Sequence, residues 1–356
     1  MFNTHIHTFR DIDVPEKFLP LHLVRILSSN IGFKLIGRFL NLLNPFSTDD
    51  VFNRYLKFIT IGRLGSQEKI FNECTKNYDP DTKFVILPMD MAYMGAGKVE
   101  RLYPEQIKEL AELKKKYPET VIPFIHIDPR RANSFLRVRT AIEQQGFMGV
   151  KIYPPIGYFP YDERLYPIYD YCQNNHIPII THCSPFNPVH FKGSKKELIE
   201  LLSKSKTPIN TKGKSNKDLC SHFTDPSNWE YVMRDFPNLK ICLAHFGSSY
   251  YWDKFLDDLA YDETNWFIKI KSMMLKYDNL YTDISFTMND EEYFSLLKVL
   301  LTKDIIKDKI LFGSDYYMVE TKANESRFSL DLRAYLGEAL FKMISEDNPN
   351  SFFKKD

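Results

Sequence analysis

Several short apolar runs in this chain end in a residue able to hold a metal. They are 2–7 (FNTHIH), 178–182 (PIITH), 239–245 (LKICLAH) and 309–315 (KILFGSD). A fifth, 148–153 (MGVKIY), carries Lys151 at the matching place. A strand that is apolar along its length and polar at its C-terminal end suits a parallel barrel, where packed strands lie below and reacting groups project from the top. The ordered set His5, His7, Lys151, His182, His245, Asp315 constrains the fold more than any other feature.

The stretches between these runs are amphipathic. Strand-like segments fall at 83–88, 120–127, 149–153 and 279–284, and helical ones at 104–117, 133–145, 162–175, 225–236, 264–277, 290–302 and 328–345. Pro104 stands at the first helical position, where its missing N–H is no loss. With 2–7 as the first, eight strands alternate with helices, which implies parallel pairing through right-handed crossovers. The fold expected is α/β: one (β/α)8 TIM barrel over 1–356, distorted, with a helical insertion after the first strand. That insertion, 10–81, is too long for one crossover and contains apolar helical stretches, so it is read as a subdomain packed over the barrel mouth. A second long segment, 184–222, is rich in Lys, Ser, Pro and Asn and reads as a mobile loop after the fifth strand.

Composition narrows the partners. Of 356 residues, 47 are Lys or Arg and 46 Asp or Glu, a net charge of +1 with no charged tail. This argues against nucleic acid and membrane surfaces as partners and leaves a small-molecule substrate, with a homo-oligomer compatible. The five cysteines are scattered without a CxxC pair, which fits a reducing compartment. The N-terminus lacks a basic stretch followed by an apolar run, so no signal peptide is expected, and no apolar run reaches the roughly 20 residues of a membrane span. The expectation is a cytoplasmic protein.

His5 and His7 are two apart on a strand, so both rings face one way and can chelate. Imidazole suits Zn, Fe, Mn or Ni. His182, His245 and Asp315 each close an apolar run and precede turn residues, so the whole set reaches one end of a barrel.

The chain resembles the metal-dependent amidohydrolase superfamily, in its amidohydrolase-related branch with the aminocarboxymuconate semialdehyde decarboxylase-like enzymes. The resemblance rests on His5-Ile6-His7, Ile127-Asp128-Pro129-Arg130, Gly149-Val150-Lys151-Ile152-Tyr153-Pro154-Pro155, Thr181-His182, Ala244-His245-Phe246-Gly247, Phe312-Gly313-Ser314-Asp315 and Asp347-Asn348-Pro349. It implies that His5, His7, His182 and Asp315 hold one divalent metal, expected to be zinc. It also implies that Asp315 takes a proton from metal-activated water and passes it to the leaving group. His245 would ligate a second metal or polarise a substrate carbonyl. Lys151 has three readings: carboxylated and bridging two metals, charged and paired with a substrate carboxylate, or snorkelling to the rim.

The function expected is metal-dependent hydrolysis of a C–N, lactone or ester bond in a small organic substrate. Lys151, and His rather than Glu at position 5, favour it over the alternative, non-oxidative decarboxylation of an aromatic or unsaturated acid. A non-catalytic barrel would leave the polar set without a role. Lesser candidates are His126 and Asp128 behind the ligands, and Arg130, Tyr153 and Tyr158 lining the pocket. Trp252 and Tyr316, just past strand ends, could stack on a ring substrate but are read first as packing, His190 and His222 as solvated loop residues, and Cys183 as facing away from the site.

Overall fold

The computed structural model describes residues 1–18, 57–258 and 262–354. Eight strands form one sheet in chain order, every neighbouring pair parallel. They are β1 Phe2–Ile6, β2 Lys83–Ile86, β3 Val121–His126, β4 Gly149–Ile152, β5 Ile179–His182, β6 Ile241–Ala244, β7 Leu280–Asp283 and β8 Ile310–Leu311. β8 returns to β1 through an irregular seam: Thr4 N–H donates to Phe312 O at 2.9 Å and Asp315 N–H to His5 O at 2.8 Å. The expected barrel is therefore present, its closure distorted at that seam.

A helix follows each strand: α1 Gln67–Thr75, α2 Tyr103–Lys116, α3 Ser134–Gln144, α4 Tyr166–Asn174, α5 Asn228–Asp235, α6 Trp266–Lys276, α7 Phe294–Lys303 and α8 Glu325–Leu336. α2 illustrates why. Tyr103, Ile107, Leu110, Ala111 and Leu113 are buried on one face, at the spacing of a helix stripe. The Glu105 carboxylate accepts from Leu102 N–H at 3.1 Å, and Lys114–Lys116 complement the C-terminal end of the dipole. The long terminal helix expected over 328–345 is broken instead. Gly337 takes φ +80°, a left-handed conformation that ends α8. The chain then restarts and finishes in α9, Asn348–Phe353.

Alternation within the strands sorts side chains into two layers. Val85, Leu87, Ile122, Phe124, Ile180, Cys242, Tyr281 and Leu311 meet inside the barrel, and Phe352 of α9 joins them from below. Outward neighbours such as Ile86, Ile125, Val150 and Ile179 join the larger core beneath the helices. Gly149 is needed here: a Cβ on it would lie 2.2 Å from the Phe124 ring. One layer higher, the same inward parity places His126, Lys151, His182 and Asp283, all buried polar residues.

The two long segments differ from their expectation in part. The ends of 10–81 that the structure describes pack on loops leaving the ligand-bearing side. Glu16 N–H donates to Lys98 O at 3.0 Å, Phe58 stacks on Tyr317 at 5.0 Å, and Lys57 pairs with Glu320. Of the two helical stretches expected in 10–81, 21–43 lies outside the described residues, as does 49–61 up to residue 56, and its described end, 57–61, is helical. The segment 184–222, expected to be a mobile loop, holds two short helices, Lys195–Leu202 and Asn216–Cys220, each opened by a serine cap (Ser194, Ser215).

Candidate metal centre

His5, His7 and Asp315 come together at the top of the barrel, with ligand atoms within 4.8 Å of one another. β1 supplies the two histidines. The turn after β8 supplies Asp315, whose φ of +66° lies in the left-handed region. Gly313 makes the approach feasible, because a Cβ there would stand 2.7 Å from the His5 Cβ. His245, after β6, also has a positive φ, +73°. Side chains seldom adopt such backbone, and it concentrates where geometry serves a site.

Hydrogen bonds fix the proton on each ring. His7 Nδ1 lies 2.7 Å from Leu87 O, and a carbonyl can only accept, so a neutral His7 presents a lone pair at Nε2. His5 Nδ1 donates to Asp283 Oδ2 at 2.9 Å, which leaves its Nε2 in the same state. Both Nε2 atoms face Asp315 Oδ1, at 3.1 Å from His7 and 3.7 Å from His5. Lone pairs converging on a carboxylate oxygen repel unless a proton or cation lies among them. Two imidazole nitrogens and a carboxylate oxygen are a donor set that a divalent transition metal accepts, so these residues fit a metal.

His182 belongs to the adjoining pair. His245 Nδ1 donates to Ser285 O at 2.9 Å, and its Nε2 lies 3.0 Å from His182 Nδ1. His182 Nδ1–H then donates to His245, and His182 Nε2 is left buried with no partner among the described residues. His182 is outside the group of three, and His245 links it to the site through its contact with His5, ring centres 5.0 Å apart. A second group within 4.8 Å joins His5, His245 and Asp283.

Asp283 went unnoticed in the sequence. It is fully buried at the end of β7, accepts from His5 Nδ1, from His245 N–H at 2.9 Å and from Ser285 Oγ, and so braces both histidines. The signal was present: the strand-like run 279–284 carries a carboxylate next to its C-terminal end.

Electrostatics follow burial. Burial and then Lys151 push the His5 pKa down to about 3, so the ring is neutral at pH 7. Burial, His245 and Lys151 depress His182 well below its ordinary value. Burial raises the Asp315 carboxyl, while a hydrogen bond from a protonated His7 and the charge of a protonated His5 lower it, so with a proton lying among these groups the net is a depressed pKa. Asp283 is likewise held below the usual carboxylate range, its burial outweighed by His5. Lys151 is fully buried, so it does not snorkel to the rim. Burial lowers its pKa to about 8 against the pull of Asp283 and Asp315, and its Nζ has no hydrogen-bond partner among the described residues.

The lesser candidates fall into place. Arg130 pairs with Asp128 at 2.5 Å and stacks on Tyr93 and Tyr158. The Tyr158 hydroxyl braces the ends of β3 and β4, accepting from Tyr153 N–H and donating to Ile127 O. Tyr153 lies on His182, ring centres 4.6 Å apart. Trp252 is fully buried against Phe246 and Phe267, and Tyr316 is buried too. Cys183 faces the outer core, with its thiol towards Thr224 O. His190 and His222 are half-buried loop residues rather than fully solvated ones.

The fold is a (β/α)8 barrel with a candidate metal-ligand group at the C-terminal ends of its strands. Residues 76–355 match the amidohydrolase family, and the chain belongs to it. Three solved structures share its fold. A 5-carboxyvanillate decarboxylase from Novosphingobium aromaticivorans, complexed with manganese and a nitrobenzoic acid, is 14% identical over 99% of this chain and 95% of that one, TM-score 0.59. A 2,6-dihydroxybenzoate decarboxylase from Rhizobium is 14% identical over 99% of both chains, TM-score 0.54. A 4-oxalomesaconate hydratase from Rhodopseudomonas palustris is 14% identical over 99% of this chain and 95% of that one, TM-score 0.50. No curated protein matches the sequence. The family acts on small molecules, and no described helix is long and apolar enough to cross a membrane.

Proposed function

We propose that this protein is a metal-dependent decarboxylase of a small aromatic or unsaturated acid. This reverses the order of the two readings drawn from sequence, which placed hydrolysis first. One observation carries the metal centre: His5 Nε2 and His7 Nε2 both face Asp315 Oδ1 with their ring protons committed elsewhere. The likeness to two solved decarboxylases of hydroxylated benzoates supports the substrate class.

His5, His7 and Asp315 are the residues proposed to hold the ion, and His182, whose buried Nε2 has no partner among the described residues, is proposed as a further ligand. A bound divalent ion supplies Lewis acidity to a substrate oxygen. Zinc, expected from sequence, and manganese, present in one neighbour, both accept this nitrogen and oxygen set. Because one group of three ligands explains the lone pairs, a single ion suffices and Lys151 need not be carboxylated.

The chain's own residues do the remaining work. In decarboxylation the bond to the carboxylate carbon breaks, CO2 leaves and a proton replaces it on the remaining carbon. Asp315 is the proposed proton carrier: its carboxylate, ionised at rest, takes a proton from solvent water and delivers it to the carbon that CO2 leaves, the hydroxide returning to solvent. His245, oriented by Ser285 O and Asp283, holds His182 in one tautomer. Lys151, buried opposite, offers a cation to the acid.

The test is CO2 release by protein loaded with Mn²⁺ or Zn²⁺, given hydroxylated benzoates and unsaturated acids. Release is expected from at least one acid. It should fall by about 10²–10⁴-fold in Asp315→Asn with metal still bound. Cleavage of lactones or amides with no CO2 from any acid would return the hydrolase reading to first place.

A further inference from the structure

Resting on that reading, we propose that His126 is a substrate-positioning residue, presenting an Nε2–H donor on the β3–β4 wall to a carboxylate oxygen of the bound acid. His126 ends β3 on the inward face, one layer above Phe124. β2 pairs with β3 only as far as Pro123. Beyond it the Tyr103 hydroxyl takes over the His126 backbone, accepting from its N–H and donating to its O, each at 2.8 Å. The residue is therefore held firmly rather than placed by default.

Its ring is equally fixed. Nδ1 accepts the backbone N–H of Asp90 at 2.9 Å, so in the neutral ring the proton must sit on Nε2. That Nε2–H is fully buried and meets no acceptor among the described residues. Buried donors are nearly always partnered, because leaving one empty is costly. The neighbour in register on β4 is Lys151, whose Nζ is unpartnered too. Two unfilled donors thus stand on one wall, while His5, His182 and Asp315 present lone pairs on the other. A carboxylate, acceptor at both oxygens, complements the donor wall and leaves the rest of the acid towards the metal ligands.

Calorimetric titration of metal-loaded protein tests this with benzoate, 2,6-dihydroxybenzoate and 5-carboxyvanillate, each against its primary amide. The proteins are the wild type, His126→Leu and His126→Gln, whose amide N–H reaches about where Nε2 stands. Wild-type protein is expected to prefer the acids. His126→Leu should weaken acid binding by about 10–100-fold, as for a hydrogen bond to a charged group. Amide binding and metal content should hold, and His126→Gln should recover most of the loss. Equal binding of acid and amide by the wild type, equal loss of both in His126→Leu, no recovery in His126→Gln, or no acid bound at all would overturn the inference. CO2 release from the same samples is scored separately. Acids held through His126 without CO2 release would remove the decarboxylase reading and leave the donor wall in place.

Discussion

A neutral His7 has one ring proton, and the Leu87 carbonyl takes it. That bond and the His5–Asp283 bond suit the two histidines to the proposed role of metal ligands, since each fixes which nitrogen keeps its lone pair. Sequence reading found the histidines because their x-spacing and strand-end position are visible. What orients them was not legible: the Leu87 carbonyl comes from the residue just after β2 and Asp283 from the end of β7, each far away in the chain. Asp283→Asn tests this support. The amide keeps the shape but loses the charge that braces His5 and His245. Metal affinity is expected to fall by about 10–100-fold with little change in Tm, read by competition with a chelator. Unchanged affinity would reduce Asp283 to packing.

Among the elements, α9 has the clearest separable role. Phe352 is fully buried, packs on Tyr281 at a ring distance of 5.0 Å and closes the barrel interior at the end away from the metal ligands. Phe352→Ala should cost about 3–5 kcal/mol, the range for emptying a buried aromatic site. Thermal unfolding measures it, and metal binding well below Tm should be retained. Loss of metal binding in a folded variant would show that the two ends are coupled. The strands were legible because inward and outward residues are both apolar low in the barrel, giving short continuous runs closed by a polar residue. Their ends were read one or two residues too long, as at 83–88 against Lys83–Ile86. The break at Gly337 and the helices Lys195–Leu202 and Asn216–Cys220 were missed because they depend on one backbone angle and on serine caps in polar sequence.

At the scale of the whole molecule, the polar layer makes the fold sensitive to acid. His5 and His126 each have a pKa lowered to about 3, first by burial, from the ordinary histidine value of 6.5. Between these values the unfolded chain binds protons that the folded one refuses. Their contribution is therefore complete above pH 6.5 and is lost as pH falls towards 3. The slope is about 1.4 kcal/mol per pH unit for each histidine. Urea unfolding of metal-free protein from pH 7 to 4 should show this decline, shallower in His126→Gln; an equal slope in both would exclude His126 as a cause. The central claim, a metal centre built from β1 and the turn after β8, is tested most directly by anomalous diffraction from crystals grown with Mn²⁺. A peak bonded to His5 Nε2, His7 Nε2 and Asp315 is expected. A map with these three side chains unchanged and no peak between them at saturating Mn²⁺ would contradict it.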